Sequence, residues 1–257
     1  YIFCAVNINN YMCNSCSDSS PVCVFDSGIG GLNLLAACVG VCPDRSFVYF
    51  ADNFNVPYGN LAPERIKELA FSAFEKIAAL NPAAAVVACN TVTSVCITDL
   101  RAKYSFPIIG IQPAVKQAVA EKGECLVLAT PATVGSASFR ALCARSGGNI
   151  AVHACPGLAE YIEEHVSDYP FIDVSPFLPP ERPSAVVLGC THYIFSADSI
   201  KKTYSCSVFD GILGTADHLG KILGNCHKNS FIIQKIQFIG GDTAKNKAIF
   251  DLLTGRH

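Results

Sequence analysis

Two stretches of the chain decide its fold: residues 83–91, which read AAAVVACNT, and residues 184–192, which read SAVVLGCTH. Each is a short apolar run, rich in β-branched side chains, that stops at a cysteine and then turns polar. Runs without polar alternation are typical of buried parallel strands. Cys89 and Cys190 are therefore expected where a strand leaves its sheet, the edge at which open α/β sheets bind ligands. We expect the two thiols to face each other across one small pocket.

The composition of the chain narrows its class. Its 257 residues suffice for one large domain or two small ones, and 51% of them are hydrophobic, so a sizeable core is available. The formal net charge of −2 and the absence of a Lys/Arg cluster argue against nucleic acid or a membrane as the main partner. No apolar run approaches the roughly 20 residues that span a bilayer, and the start of the chain does not resemble a signal peptide. These features lead us to expect a cytoplasmic protein.

The 14 cysteines do not predict a disulfide scaffold, because the chain is long and many of them lie within apolar strand or helix patterns. Cys38, Cys96, Cys125 and Cys143 are examples. We expect most of these thiols to be reduced and to behave as small core side chains.

Strands and helices alternate along the chain, which predicts parallel sheets with helices on both faces. We predict strands at 22–25, 47–51, 84–88, 108–111, 124–129, 150–153, 184–188, 208–209 and 231–239. We predict helices at 31–39, from 63, from 90 to 100, from 130 to 147, from 157, at 215–223 and at the end of the chain.

The expected architecture is α/β, with two similar lobes and an active site between them. Residues 1–20 would be an N-terminal extension. Residues 21–112 plus 212–257 would form the first lobe, with Asp26 and Cys89, and residues 113–211 the second, with Cys190. The likeness of the two cysteine segments suggests an internal duplication.

A pair of thiols suits inversion at a carbon that bears a proton. The thiolate is the reactive form of cysteine, and a free cysteine of pKa about 8.5 is only slightly ionised at neutral pH. If Cys89 and Cys190 flank such a carbon, one removes its proton while the other delivers a proton to the opposite face. This needs no cofactor, but it needs donors around the neighbouring carboxylate.

Other residues have a functional and a structural interpretation. The turn at 26–31 (DSGIGG) could receive an anion, although a plain tight turn is the simpler interpretation. Asp26 could bind an ammonium group or accept a proton from a thiol. His192 could orient Cys190, Thr130 and Thr133 could cap a helix or bind a carboxylate, and Glu163 is a surface charge unless the fold turns it toward His192.

Two metal sites are open alternatives. Cys89, Cys190, His192 and Asp26 could form a zinc site, although their spacing is not that of a local zinc motif. Cys4, Cys13, Cys16 and Cys23 contain one C-x-x-C pair but lack the flanking pattern of a zinc ribbon. We predict no metal.

From about Val22 onward, the sequence resembles the cofactor-independent, two-cysteine aspartate/glutamate racemase family, and within it the glutamate racemases. The motifs that carry this resemblance are FDSGIGGL at 25–32, PYG at 57–59, ACNT at 88–91 and GCTHY at 189–193. Their order and spacing match the family, and the PYG loop separates it from aspartate and hydantoin racemases.

The resemblance implies two α/β lobes with glutamate bound between them, no cofactor, and D-glutamate supplied for peptidoglycan in a bacterial cytoplasm. It assigns the catalytic roles to Cys89, Cys190, Asp26 and His192. It implies secondary acidic roles for Asp52 and Glu163. The substrate-binding residues that it implies are Asp26, Ser27, Pro57, Tyr58, Gly59, Asn90, Thr91, Thr133, Thr191 and His192.

The sequence departs from the family pattern at 210–212 (DGI) and at 92–94 (VTS), which leaves contacts of the first loop open. Some longer members with a similar extension are activated by a cell-wall nucleotide precursor, so we expect such a regulator here. The family includes homodimers, so a second copy of the chain is among the expected partners. An aspartate racemase, a zinc-dependent hydrolase and a non-catalytic amino-acid sensor are the alternatives.

Overall fold

The computed structural model describes residues 20–224 and 235–255 and contains two sheets. The first half of the chain forms β1 (Val22–Asp26), α1 (Leu32–Val41), β2 (Phe47–Ala51), α2 (Pro63–Ala78), β3 (Ala84–Val87), α3 (Asn90–Lys103) and β4 (Ile108–Gly110). The second half forms α4 (Val115–Lys122), β5 (Glu124–Ala129), α5 (Pro131–Gly135), α6 (Ala137–Ser146), β6 (Asn149–Ala154), α7 (Leu158–Glu164), β7 (Ala185–Gly189), α8 (Ala197–Tyr204), β8 (Ser207–Phe209), α9 (Ile212–Leu223), β9 (Ile236–Ile239) and α10 (Thr243–Thr254).

The two sheets repeat one strand order. The first is β4-β3-β1-β2-β9 and the second is β8-β7-β5-β6, with parallel pairing between the neighbouring strands. Apart from β9, each strand of the first sheet thus has a counterpart in the second. The strands β3 and β7, which end at the two cysteines, are counterparts. This arrangement confirms the predicted α/β fold of two similar lobes.

The central strands of each sheet are covered on both faces, which explains why they lack polar alternation. In β1, Cys23 and Phe25 pack with the buried stripe of α2, including Phe74, whereas Val22 and Val24 face the opposite core. That opposite core continues into the second sheet and includes residues of α1, α9 and α10. The outer face of the second sheet packs on α4 and α6. One apolar core therefore joins the two lobes.

The predicted strands agree with the observed ones to within a residue or two wherever the structure describes them. The strand predicted at 231–239 is seen from Ile236, and residues 231–234 lie outside the described residues. The helix predicted from 63 is α2, and its buried residues include Ile66, Leu69, Ala70, Phe74 and Ile77. The domain boundaries remain a proposal: we place them at 112/113 and 211/212, next to β4 and α9.

One helix prediction needs correction, and two helices are absent from the prediction. The helix predicted from 130 to 147 is two helices, because Ser136 adopts an extended conformation between α5 and α6. Its hydroxyl accepts a hydrogen bond from the Phe139 N–H (3.1 Å) and so caps the second helix. Helices α4 and α8 were not predicted, since each is only eight residues long and gives a short periodic signal.

Candidate active site between the lobes

The two cysteines lie at equivalent places in the two sheets. Cys89 lies two residues beyond the end of β3 and Cys190 directly follows β7, each strand being next to the first strand of its sheet. In such a strand order the direction of the connections reverses between those two strands, which opens a crevice at their carboxyl ends. Both cysteines are buried and line one cavity of about 10 Å³. The predicted meeting of the two thiols at one pocket is present in the structure.

Most of the predicted substrate-binding side chains line the same cavity. Around the two cysteines lie Ser27, Pro57, Tyr58, Gly59, Asn90, Thr91, Thr191 and His192, together with Thr130 and Ala159. Asp26 and Thr133 stand one contact behind this lining. Thr130 was considered from the sequence only as a cap or carboxylate ligand, and Ala159, with no polar atom in its side chain, gives no sequence signal.

The side of the cavity next to Cys89 carries a buried carboxyl group. The Sγ of Cys89 is 3.6 Å from the Oγ of Ser27. Burial, followed by the charge of Asp26, raises the pKa of the Cys89 thiol to about 12. Burial likewise raises the pKa of Asp26 to about 6, against the charge of His192 and the hydrogen bonds that Asp26 accepts from the Gly28 N–H (2.8 Å) and the Thr191 hydroxyl (3.0 Å). Cys89 is therefore a thiol when the cleft is closed and empty.

Cys89 is also the N-cap residue of α3, whose first turn contains Asn90 and Thr91. The N-terminus of a 14-residue helix favours negative charge, whether on the thiolate or on a bound carboxylate. Among the residues that the structure describes, the side-chain amide nitrogen of Asn90 has no hydrogen-bond partner, although it is buried. An unpaired buried donor is unfavourable unless a ligand satisfies it. Asn90 therefore marks the place where a ligand oxygen fits.

The Cys190 side is built around a histidine–carboxylate pair. The Nδ1 of His192 is 3.9 Å from the Sγ of Cys190, and its Nε2 is 2.7 Å from the Oε2 of Glu163. Burial opposes the charged imidazolium, but hydrogen bonds and charges of Cys190 and Glu163 outweigh it and raise the pKa of His192 well above its usual value. Burial also opposes ionisation of Glu163. The hydrogen bond and charge of His192 outweigh burial and, with smaller contributions from Ile29 and Lys245, lower the pKa of that carboxyl to about 2. The two ring nitrogens of His192 thus face the Glu163 carboxylate and the Cys190 sulfur.

Three hydroxyl groups of the lining, those of Tyr58, Thr91 and Thr130, are held by hydrogen bonds to other side chains. The Tyr58 hydroxyl donates a 2.6 Å hydrogen bond to Asp52, and burial together with this bond raises the pKa of Tyr58. The hydroxyl oxygens of Thr91 and Thr130 are 3.0 Å apart, and that of Thr133 lies 2.9 Å from Thr130. This threonine cluster joins α3 of the first lobe to α5 of the second.

The glycine turn after β1 serves close packing between the lobes. A Cβ built on Gly30 would lie 2.4 Å from the Thr191 Oγ1 and 2.7 Å from the His192 main-chain nitrogen. A Cβ on Gly28 would lie 2.7 Å from the Glu163 carboxylate. Of the two interpretations of this turn, the structure favours a tight turn that admits the Thr191–His192 backbone.

The departures from the family pattern lie outside the cavity lining. Asp210 accepts a hydrogen bond from the Ile212 N–H (2.8 Å), and a Cβ on Gly211 would meet the main chain at Gln112. This loop is therefore part of the crossover between the lobes. Val92 belongs to the core of the first lobe, and Thr93 is buried beside it.

The metal alternatives receive no geometric support. In the part of the chain that the structure describes, no three His, Cys, Asp or Glu side chains are grouped so as to hold a metal ion. Cys4, Cys13 and Cys16 lie outside the described residues. Over the same ranges, 20–224 and 235–255, no helix is both long and apolar enough to cross a bilayer.

The close approach at Gly30 gives a stability prediction. Gly30→Ala forces the Thr191–His192 backbone away, and overpacking of this kind costs about 1–3 kcal/mol, equivalent to a fall in Tm of roughly 2–12 °C. Gly40→Ala is the matched control, because a Cβ there meets no atom of residues 20–224 and 235–255 within 4 Å and Gly40 lies in α1. The control should keep or raise the Tm in thermal unfolding. Equal melting of the two variants would contradict the packing described here.

Comparisons with known proteins agree with this geometry. The family model described as Asp/Glu/Hydantoin racemase matches residues 33–219. A curated protein named glutamate racemase from Clostridium novyi is 40% identical over 216 residues, which cover 79% of this chain and 83% of that protein. A protein of the same name from Clostridium kluyveri is 41% identical over 83% of this chain and 88% of its own.

Solved structures show the same architecture. The crystal structure of a glutamate racemase isoform from Bacillus anthracis superposes with a TM-score of 0.78 at 28% identity, covering 92% of this chain and 94% of the other. The Escherichia coli glutamate racemase, solved with L-glutamate and the activator UDP-MurNAc-ala, has a TM-score of 0.76 at 26% identity, with 92% and 95% covered. The match to the family model and the identity to these relatives show that the chain belongs to the Asp/Glu/Hydantoin racemase family.

Proposed function

We propose that this protein is a glutamate racemase, which interconverts L- and D-glutamate by proton transfer at the α-carbon. The observation that carries the proposal is that Cys89 and Cys190 end equivalent strands of two lobes and line one cavity. The choice of glutamate rests on relatives about 40% identical that bear this name. The choice also fits the PYG loop at 57–59, whose residues line the cavity.

The proposed reaction uses one thiolate and one thiol. The thiolate on one face removes the α-proton and becomes a thiol, and the electron pair stays on the α-carbon, delocalised into the carboxylate. The thiol on the opposite face then delivers its proton to that carbon and becomes the thiolate. The product is the mirror image, and the next turnover in the reverse direction restores the starting charges. No cofactor takes part in this scheme.

The surrounding residues have separate roles in the proposal. Asp26 and Ser27 act on the Cys89 side, where Asp26 also binds the substrate ammonium, while His192 and Thr191 act on the Cys190 side. Donors at the N-terminus of α3, namely Asn90 and its neighbour Thr91, hold a substrate carboxylate and stabilise the carbanion. The remaining substrate contacts come from Pro57, Tyr58, Gly59 and Thr133, while Asp52 and Glu163 support Tyr58 and His192.

The size of the cavity implies that the lobes part to admit substrate. A cavity of about 10 Å³ is close to the minimum for one water molecule, and an amino acid is much larger. The threonine cluster and the Thr191–Asp26 hydrogen bond join the lobes on either side of the cavity. We propose that these contacts open on substrate entry and re-form around it, which excludes water from the carbanion.

The biological setting follows from the family. We propose that the protein supplies D-glutamate for peptidoglycan synthesis in a bacterial cytoplasm, because the matching relatives are bacterial glutamate racemases. A homodimer is the oligomeric state that we propose. Sedimentation at several protein concentrations tests it, and a monomer at all of them would refute it.

The direct test is to incubate purified protein with L-glutamate in deuterated water, with a chelator present and no added cofactor. D-glutamate should accumulate to an equal mixture, and the product should carry solvent deuterium at its α-carbon. Binding without inversion would indicate the sensor, loss of activity with the chelator would indicate the hydrolase, and faster turnover of aspartate would indicate the aspartate racemase.

Single substitutions of the two cysteines test the acid–base pair. Cys89→Ser and Cys190→Ser should each lower racemisation by about 10²–10⁴-fold, because a hydroxyl is a far weaker acid than a thiol. Cys96→Ser is the matched control, since that thiol is buried in the first-lobe core away from the cavity. Full activity in either test variant would exclude the pair as the essential acid and base.

We also propose regulation by a cell-wall nucleotide precursor, which is supported by the activator UDP-MurNAc-ala in the Escherichia coli glutamate racemase. The extension at residues 1–20 is the segment that we propose to carry this response. Truncation of those residues should abolish activation by UDP-MurNAc-ala while basal racemisation persists. An unchanged response to the nucleotide in the truncated protein would refute the role of the extension.

A further inference from the structure

Glu163 of the second lobe is held by donors from the first lobe. The Ile29 N–H donates to its Oε2 (3.2 Å), and the side-chain amide of Asn53 donates to its Oε1 (3.2 Å). The Lys245 ammonium lies 3.6 Å from the same Oε1 and donates to the main-chain oxygen of Glu163 (3.2 Å). From its own lobe, Glu163 contacts His192. One carboxylate thus joins the lobes and touches the histidine beside Cys190.

The lysine is delivered by a fixed helix. It lies in the first turn of α10, where its N–H donates to the Asp242 carboxylate (2.9 Å) that caps the helix. The next residue, Asn246, is fully buried and donates from its side chain to the Oδ1 of Asn53 (2.9 Å). Two neighbouring residues of α10 therefore act on Glu163, one directly and the other through Asn53.

Lys245 acts on Glu163, and Glu163 in turn acts on His192. Glu163 is 11% exposed and Lys245 36% exposed at the side chain, so the ammonium partly compensates a carboxylate that is nearly buried. An ionised and fixed Glu163 orients the imidazole of His192 through Nε2 and leaves Nδ1 facing Cys190. The contacts described here act on the Cys190 side of the cavity, since Cys89 has its own neighbour in Ser27.

We propose that Lys245 is a positioning residue that couples closure of the lobes to the orientation of His192 behind Cys190. The lysine can reach Glu163 only when the second lobe lies against α10, so the histidine is held in place when the cleft is shut around substrate. This inference rests on the proposed racemase function. It assigns a catalytic contribution to the C-terminal helix, which lies outside every motif of the sequence.

The test compares three variants of α10. Lys245→Met removes the charge and keeps the length of the side chain, Lys245→Arg keeps the charge, and Lys247→Met is the matched control. Lys247 lies on the same helix, is 64% exposed and pairs with Asp251. We expect kcat to fall about twofold to fivefold in Lys245→Met, to recover in Lys245→Arg and to stay unchanged in Lys247→Met, consistent with one partly exposed ionic contact.

Isotope effects separate positioning from general loosening. Enantiomers have equal free energies, so kcat/KM must be the same in both directions. A defect at only one of the two cysteines therefore cannot appear as a difference between the two kcat/KM values. With α-deuterated substrate, the isotope effect on kcat/KM reports removal of the substrate proton alone. Weakening only the Cys190 side makes proton transfer at Cys190 more rate-limiting in both directions. For the enantiomer that Cys190 deprotonates, this step is removal of the substrate proton, so the isotope effect should rise. For the other enantiomer it is the later delivery of a proton, so the isotope effect should fall.

The outcomes discriminate between the two levels of the proposal. Opposite changes in the two isotope effects, reversed by Lys245→Arg, support the positioning role. A racemase in which Lys245→Met leaves both effects at their wild-type values, or shifts them equally, overturns it. A wild-type protein that exchanges no α-proton overturns the proposed function instead.

A second measurement does not depend on the rate of racemisation. The His192 Nε2–H should give a protected proton resonance in NMR with D-glutamate bound. This resonance should exchange faster in Lys245→Met than in Lys247→Met. Equal exchange rates overturn the coupling.

Discussion

A parallel strand presents the residue at its carboxyl end to one side of a ligand only, so acid and base on opposite faces of one carbon require two sheets whose ends meet. The shared strand order of the two sheets satisfies this requirement, because β3 and β7 occupy corresponding places and each is followed within two residues by a cysteine. The glycine turn at 28–30 then permits the close approach of the lobes. The remainder of the site depends on this facing arrangement.

The two halves of the cavity have the same backbone plan and different chemistry. Cys89 caps a helix and has Ser27 and the buried Asp26 as neighbours, whereas Cys190 has His192 and Glu163. Burial favours the neutral form of the Cys89 thiol, whereas the Nδ1 of His192 lies 3.9 Å from the Sγ of Cys190. A substrate that binds with its ammonium and carboxylate in fixed places thus meets two inequivalent thiols. We infer that the enzyme handles its two enantiomers through unlike proton-transfer steps.

The sequence predicts the strand ends well because a buried parallel strand leaves a clear signal. An unbroken apolar run that stops at a polar residue locates Cys89 and Cys190, and the repeated pattern places them in corresponding lobes. The lining residues next to these runs, such as Asn90 and Thr191, follow from their positions in the chain. Specific roles for Tyr58 and Thr133 entered through the resemblance.

What the sequence does not predict are contacts between distant elements whose local patterns look ordinary. Glu163 was expected at the surface unless the fold turned it inward, and only the docking of α7 beside His192 decides the question. Lys245 belongs to an otherwise plain amphipathic helix, and its contact with Glu163 spans 82 residues of chain. The break at Ser136 is absent from the prediction although Gly135 precedes it, because an isolated glycine is tolerated within a helical pattern.

The most direct measurement is a crystal structure of the protein with D-glutamate bound. We expect the lobes to enclose the ligand with its α-carbon between the two sulfur atoms. Each sulfur should lie about 3.5 Å from that carbon, on opposite faces of it. A ligand whose α-carbon is reached by only one sulfur, or by both from the same face, would contradict the two-thiol arrangement.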